Sequence, residues 1–174
     1  MGGFTKLRRE IEPRWVAEYV SKFYPAHEAS FRVPLGPVPE EWAKELGEAK
    51  AVRAYRPWRP EADALVKMPN RLVLIEGKVF KYMDGAAKLP LYKALVPFSP
   101  DLKDQKGKEI SMELLLPVDV QWVRIVCDAM GIRLVVWCPD WLKPIWEERD
   151  RYWLPENVLA RQKRKEKLRE LGYE

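Results

Sequence analysis

The chain reads as an α/β protein with a mixed central sheet flanked by helices, and three observations predict it. Residues 62–68 and 72–79 are two apolar runs separated by a short turn containing Pro69 and Asn70, the pattern of a β-hairpin. Residues 11–23 place apolar side chains at helical spacing. Residues 110–138 read as strand, helix, strand, the unit that joins parallel neighbours in a sheet.

The first helix rests on Ile11, Trp15, Tyr19 and Phe23 at i, i+4 steps, with Val16 and Val20 beside them, and it ends before Pro25. Pro13 leaves two readings of its start. If the helix extends back past Pro13, Glu12 projects into the apolar stripe, where a carboxylate is costly unless it faces a site. If Pro13 is the first helical residue, Glu12 is a solvated flank. Residues 29–34 read as a short strand, the Pro-rich run after it as a rigid loop, and residues 39–47 as a short helix opening on Pro39 and closing on Gly47. Residues from about 35 to 60 thus form an insertion between the first two core strands. Its last part, Lys50 to Pro60, interleaves cations with aromatics. Arg53, Arg56 and Arg59 would hold phosphates there while Tyr55 or Trp58 stacks on a base; alternatively the segment is an edge strand whose aromatics pack inward.

Beyond the hairpin, Asp84 fits as the N-cap of a helix over 85–96, in which Pro90 requires a kink or a late start. Lys88 and Tyr92, four apart, lie close to one face with Lys93 nearby. Residues 110–117 read as a strand, 118–130 as a helix ended by Gly131, and 132–138 as a buried strand reached by a right-handed crossover. The core therefore spans 1–140. Residues 141–174 form a Trp-rich, basic extension in which Arg161 to Arg169 carries six cations against one anion, either a helix laid along a nucleic-acid backbone or a solvated tail.

The hairpin carries the chemistry. With Met68 opposite Arg71, counting back pairs Asp63 with Glu76, and Lys78 shares the face of Glu76. Carboxylates directly opposite, with Cβ atoms roughly 5 Å apart, repel one another. A divalent cation offsets that repulsion: carboxylate oxygens suit Mg²⁺ or Mn²⁺, and the Gly77 carbonyl lies between Glu76 and Lys78. Lys78 beside the metal would orient a water or stabilise charge developing on a phosphate. The plain alternative is a solvated hairpin face, against which the otherwise apolar character of both strands weighs.

The order Asp63, hairpin, Glu76-Gly77-Lys78, amphipathic helix resembles the PD-(D/E)xK nuclease superfamily, which includes restriction endonucleases, Holliday-junction resolvases and RecB-type nuclease domains. Residues 84–95 resemble the Gln-Leu-x-x-Tyr helix of the RecB-like branch, with Lys88-Leu89 and Tyr92 at matching spacing and Lys88 in place of the usual Gln. The contiguous Pro-Asp dipeptide is replaced by Pro60-Glu61-Ala62-Asp63. The resemblance covers about residues 8–138, and its specific part is the Asp63, Glu76, Lys78 core. It implies a restriction-endonuclease-like fold and a Mg²⁺- or Mn²⁺-dependent nuclease hydrolysing phosphodiester bonds, DNA foremost. It further implies Asp63, Glu76, Gly77 and a first-helix glutamate, Glu12 first and Glu18 second, as metal ligands. Asp63, Glu76 and Lys78 become the catalytic group, and Lys88 and Tyr92 become contacts to the phosphate backbone. A nucleic-acid-binding or assembly protein that keeps the fold without cleavage is the rival reading, and a homodimer is the candidate assembly.

Composition agrees without deciding. A chain of 174 residues, 47% hydrophobic, is long enough for one domain with its own core. A net charge of +5, from 31 basic against 26 acidic residues, and a pI near 9.1 suit a polyanionic partner only weakly. No run approaches the roughly 18 apolar residues of a membrane span, and the N-terminus lacks a signal-peptide core, so the expected location is the cytoplasm. Lys6 breaks the myristoylation pattern that Met1-Gly2 would open. Cys127 and Cys138 have no Cys-x-x-Cys spacing and read as small apolar residues, which argues against zinc and iron–sulfur sites. His27, the one histidine, reads as a surface or loop residue. There is no Gly-rich phosphate loop and no nucleophile elbow. Fifteen prolines, eight tryptophans and a charged third of the chain point to a heat-adapted source.

Overall fold

The computed structural model describes residues 3–172, with side chains from residue 11 onward except 149–153. Met1 and Gly2, on which the myristoylation reading rests, and the Trp153 ring lie outside the described residues. Two compact units are present, Met1–Trp137 and Cys138–Glu174.

The first unit is built on a five-stranded sheet in the order β1-β2-β3-β4-β5. The strands are β1 (Glu28–Pro34), β2 (Glu61–Lys67), β3 (Arg71–Gly77), β4 (Glu109–Leu116) and β5 (Ile132–Val136). The first three pair antiparallel and the last two join in parallel, so the sheet is mixed, as the sequence predicts. Strand β3 from Leu72 onward and β4 from Met112 onward are buried, which is why these stretches run apolar rather than alternating.

Helix α1 (Gly3–Phe23) runs straight through Pro13, so the first of the two readings of Glu12 holds. It packs Trp15, Val16, Tyr19 and Val20 into the core and leaves Phe23 half exposed. The insertion holds α2 (Glu40–Leu46) and α3 (Glu48–Ala54), separated by Gly47 at φ +78°, then a 3-10 turn at Arg56–Trp58. Lys50 to Pro60 is therefore not an edge strand; Glu48, Ala49, Lys50 and Ala51 are good helix formers and prevail over the β-preferring aromatics. The strand at the edge beside β2 is β1 instead.

Helix α4 (Tyr82–Leu95) starts at Tyr82 rather than at residue 85. Lys81, in the left-handed region at φ +53°, turns the chain out of β3 and occupies the N-cap without a side-chain bond. Asp84 is thus a first-turn residue and not the cap, placed where the helix dipole favours an anion. The chain continues as a helix through Pro90. Helix α5 (Gln121–Met130), closed by Gly131 at φ +64°, links β4 to β5.

Side-chain alternation places α1 and α4 on opposite faces of β3. A Cβ on Gly77 would meet Val16 and Trp15 of α1, whereas a Cβ on Gly85 of α4 would meet Glu76, Lys78 and Leu114. In the second unit, α6 (Lys143–Trp153) is followed by α7 (Pro155–Glu170), which buries no side chain. Among the described residues no helix is long and apolar enough to cross a membrane.

Candidate active site

The hairpin pairs Ala64 with Ile75, Leu65 with Leu74, Val66 with Val73 and Lys67 with Leu72. One further step along that register sets Asp63 opposite Glu76, and Lys78 follows on the same face. Across the other side of β2, the same counting sets Arg32 of β1 opposite Asp63, between the pairs Phe31–Ala64 and Val33–Ala62. The row sits at the C-terminal end of β3, where the start of α4 and the middle of α1 both come close, a common place for sites in open α/β sheets.

Lys78 is the centre of the constellation. Its ammonium lies 2.9 Å from Glu76 Oε1, 3.6 Å from Glu12 Oε2 and 3.7 Å from Asp63 Oδ2, and it donates to the Gly77 carbonyl at 3.1 Å. Lys88 of α4 approaches Glu76 Oε1 at 3.4 Å. Asp63 Oδ2 also accepts the Gly77 backbone N–H at 2.9 Å, and Glu12 Oε1 accepts that of Val79 at 3.0 Å. Three elements thus contribute one carboxylate each, and two of the carboxylates also bind the backbone that carries Lys78.

Burial, and then the Asp63 charge, push the Glu76 carboxyl above the ordinary glutamate range, with Lys78 and Lys88 opposing. Burial pulls the Lys78 ammonium down, but Glu76, Asp63 and Glu12 together outweigh it and hold lysine above its usual value. Lys78 is a cation at neutral pH and not a free base.

The donor set suits a hard divalent ion. Glu76 is 1% exposed, and its Oε2 is buried with no hydrogen-bond partner, an arrangement that costs free energy unless a cation or proton completes it. The neighbouring donors are the carboxylates of Asp63 and Glu12 and the Gly77 carbonyl, all oxygen. Among the described residues, no three acidic, His or Cys side chains are already spaced around a metal-sized point; the Lys78 ammonium stands between the carboxylates. Metal binding would therefore require Lys78 to give up part of its present contacts.

A cleft of about 300 Å³ opens beside this group, lined by Glu12, Lys78, Lys81, Asp84 and Lys88 among others. Of the two first-helix candidates, Glu12 reaches the site, while Glu18 lies exposed about 9 Å further along α1. Lys88 is half exposed at the cleft. Tyr92 departs from expectation: it is 2% exposed and its hydroxyl donates to the Glu61 carbonyl at 2.9 Å, so it braces β2 and does not meet a phosphate.

The cation–aromatic segment divides in the same way. Arg59 is buried, donating to Asp101 at 2.6 Å and to the Pro34 carbonyl at 2.9 Å; it ties the insertion to the strand end and is not available to a ligand. Arg53 is exposed at the end of α3. Arg56 bonds Glu61 and the Arg32 carbonyl at the surface. Trp58 stacks on Tyr55 with centroids 5.6 Å apart and remains 64% exposed.

Two features escape sequence reading. Glu113 of β4, 3% exposed on the α1 side of the sheet, accepts hydrogen bonds from Tyr19 at 3.0 Å, Tyr24 at 2.7 Å and Arg133 at 2.8 Å. Burial first, then Glu113, raises both phenols, Tyr24 to about 12. A lone Glu in an apolar strand signals such a network only once its partners are known. Gly85 is the second: a Cβ there would stand 2.8 Å from Lys78 Cγ and 2.6 Å from Leu114 Cδ1, so its bare backbone lets α4 close over the site.

No protein-family model matches the sequence, and no curated protein matches it. The crystal structure of a repair endonuclease from Pyrococcus abyssi is similar over 71% of this chain and 46% of its own, at 13% identity and a TM-score of 0.43. The chain thus spans under half the length of that neighbour, and a likeness of this size assigns neither site nor activity.

Proposed function

We propose that the chain is a Mg²⁺- or Mn²⁺-dependent nuclease of the PD-(D/E)xK kind, acting on phosphodiester bonds in DNA. The observation that carries the reading is the buried, unpartnered Oε2 of Glu76 set among the carboxylates of Asp63 and Glu12 around Lys78. The side-chain constellation supports it, and the likeness to the repair endonuclease adds nothing to the case. Asp63, Glu76, the Gly77 carbonyl and Glu12 would hold the ion, which when bound supplies Lewis acidity and a water of lowered pKa. Lys78, held protonated, serves as a preorganised positive charge toward a non-bridging phosphate oxygen or the attacking water rather than as a proton acceptor. Lys88 and Lys81 at the cleft add cations that favour a polyanion.

A second reading, a nucleic-acid-binding protein without cleavage, is favoured by one observation: the Lys78 ammonium fills the space between the carboxylates. A cleavage assay on duplex, single-stranded and branched DNA with Mg²⁺ or Mn²⁺ separates the two. Metal-dependent products that vanish in Asp63→Ala and Glu76→Ala support the nuclease. Binding without cleavage of any substrate form would overturn it.

A further inference from the structure

Beside Asp63, on the insertion side of the sheet, the backbone departs from the β ladder. Arg32 adopts φ +51°, the left-handed region that a side-chain-bearing residue enters only at a cost. It does so at the position facing Asp63, which drops out of the pairing that continues on either side of it. Its guanidinium lies 3.3 Å from Glu61 Oε2, while Arg56 holds Glu61 Oε1 at 3.1 Å and the Arg32 carbonyl at 2.8 Å. Two arginines share one carboxylate, which leaves one net positive charge. Their side chains are 72% and 50% exposed, so these contacts enclose neither arginine. Glu61 is two residues from Asp63 on the same face of β2, about 7 Å along the strand.

Two residues on from Arg56, Trp58 has one face stacked on Tyr55 at an interplanar angle of 21° and most of its remaining surface in solvent. Trp42 at 5.6 Å steadies the ring from a tilted position. An exposed indole braced by two aromatics has little further freedom to lose on binding a ligand, and it closes the same 3-10 turn that Arg56 opens.

We infer that Arg32, Arg56 and Trp58 form a subsite for an unpaired nucleotide, with the arginine pair on the phosphodiester and the indole stacked on the base, so that the strand delivered to Asp63 is single. This rests on the nuclease reading for its function, but not for its binding. Base stacking on a side chain needs a base released from its pair, whereas phosphate contacts alone would accept duplex equally.

The test measures binding in metal-free buffer, by anisotropy of a labelled single-stranded oligonucleotide and of the same sequence as a duplex. Wild type should prefer the single strand. Trp58→Ala should weaken single-strand binding by about 5- to 150-fold, the range for loss of one base stack, and leave duplex binding unchanged. Trp58→Phe should restore most of it. Arg32→Gln with Arg56→Gln should lower the slope of log affinity against log salt by about one. Duplex bound as tightly as the single strand, or a Trp58→Ala variant that loses both equally, would overturn the subsite. Because no metal is present, absence of cleavage in the separate assay leaves this result standing and removes the nuclease alone, while intact cleavage with unaffected Trp58 and arginine variants removes the subsite alone.

Discussion

The Glu12 carboxylate accepts a 3.0 Å hydrogen bond from the Val79 N–H, tying the middle of α1 to the backbone one residue beyond Lys78. Its other oxygen lies 3.6 Å from the Lys78 ammonium. Substitution separates the two roles. Glu12→Gln keeps an oxygen for Val79 and removes the charge, so metal-free stability should stay close to wild type while affinity for Mn²⁺ falls. Glu12→Ala leaves a buried N–H without its acceptor and should cost about 1–3 kcal/mol. Denaturant unfolding and metal titration of both variants check this, and equal losses of stability would show that charge, not the bond to Val79, is what α1 supplies.

Metal-free stability should also depend on pH through Glu76. Burial and Asp63 raise its carboxyl, so the folded chain keeps the proton to higher pH than the unfolded chain. Between the ordinary and the raised values the native state binds more protons, and stability falls as pH rises. The contribution is therefore complete below the ordinary glutamate range, is lost as pH climbs through the raised value, and is level above it. Asp63→Asn removes one of the causes while retaining an oxygen for the Gly77 N–H, and so should flatten the decline. Unfolding midpoints measured without metal, from below the ordinary carboxyl range to above neutral pH, provide the measurement. Identical profiles for the two proteins would contradict the coupling.

Much of this was legible because strand periodicity is strict. Counting from Met68 and Arg71 sets Asp63 against Glu76, and the observed ladder has that register. What the sequence hides is which of several similar side chains the fold will bury. Arg53, Arg56 and Arg59 look alike in a row, yet Asp101, 42 residues away, selects Arg59 for the interior. Tyr92 follows Lys88 by one helical turn, but its hydroxyl is taken by a carbonyl of β2. Asp84 is a good capping residue passed over because Lys81 turns the chain earlier. Glu113 gathers Tyr19 and Tyr24 from 94 and 89 positions away, a link with no local signature.

Gly77 offers a carbonyl to the site, and its missing side chain matters to packing. A Cβ there would stand 2.4 Å from Val16 Cγ2, on a buried β-branched residue with no room to rotate. Gly77→Ala should destabilise by about 1–3 kcal/mol through overpacking. Val16→Ala opens the space and carries its own cavity cost. The double variant should be more stable than the sum of the two losses predicts, by roughly 1 kcal/mol, because each change relieves the other. Additive losses in a thermal or denaturant cycle would place the strain elsewhere.

Lys78 gives the sharpest test, because its present partners and its proposed role make opposite demands. At 8% exposure it is the cation shared by Glu76, Asp63 and Glu12, and in metal-free protein Lys78→Met leaves those carboxylates with Lys88 as their nearest cation in the group. Removing one partner of a buried pair costs about 3–5 kcal/mol. The variant should therefore melt well below wild type at neutral pH, recover at acid pH as the carboxylates take up protons, and recover at neutral pH when Mg²⁺ or Mn²⁺ replaces the lost charge. At saturating metal its single-turnover cleavage should be slower by about two orders of magnitude with substrate affinity nearly unchanged, the expected loss of a preorganised charge aimed at the reacting phosphate. If divalent ions fail to restore the stability of Lys78→Met, the three carboxylates do not form a metal centre, and Lys78 is the cation that this fold permanently keeps there.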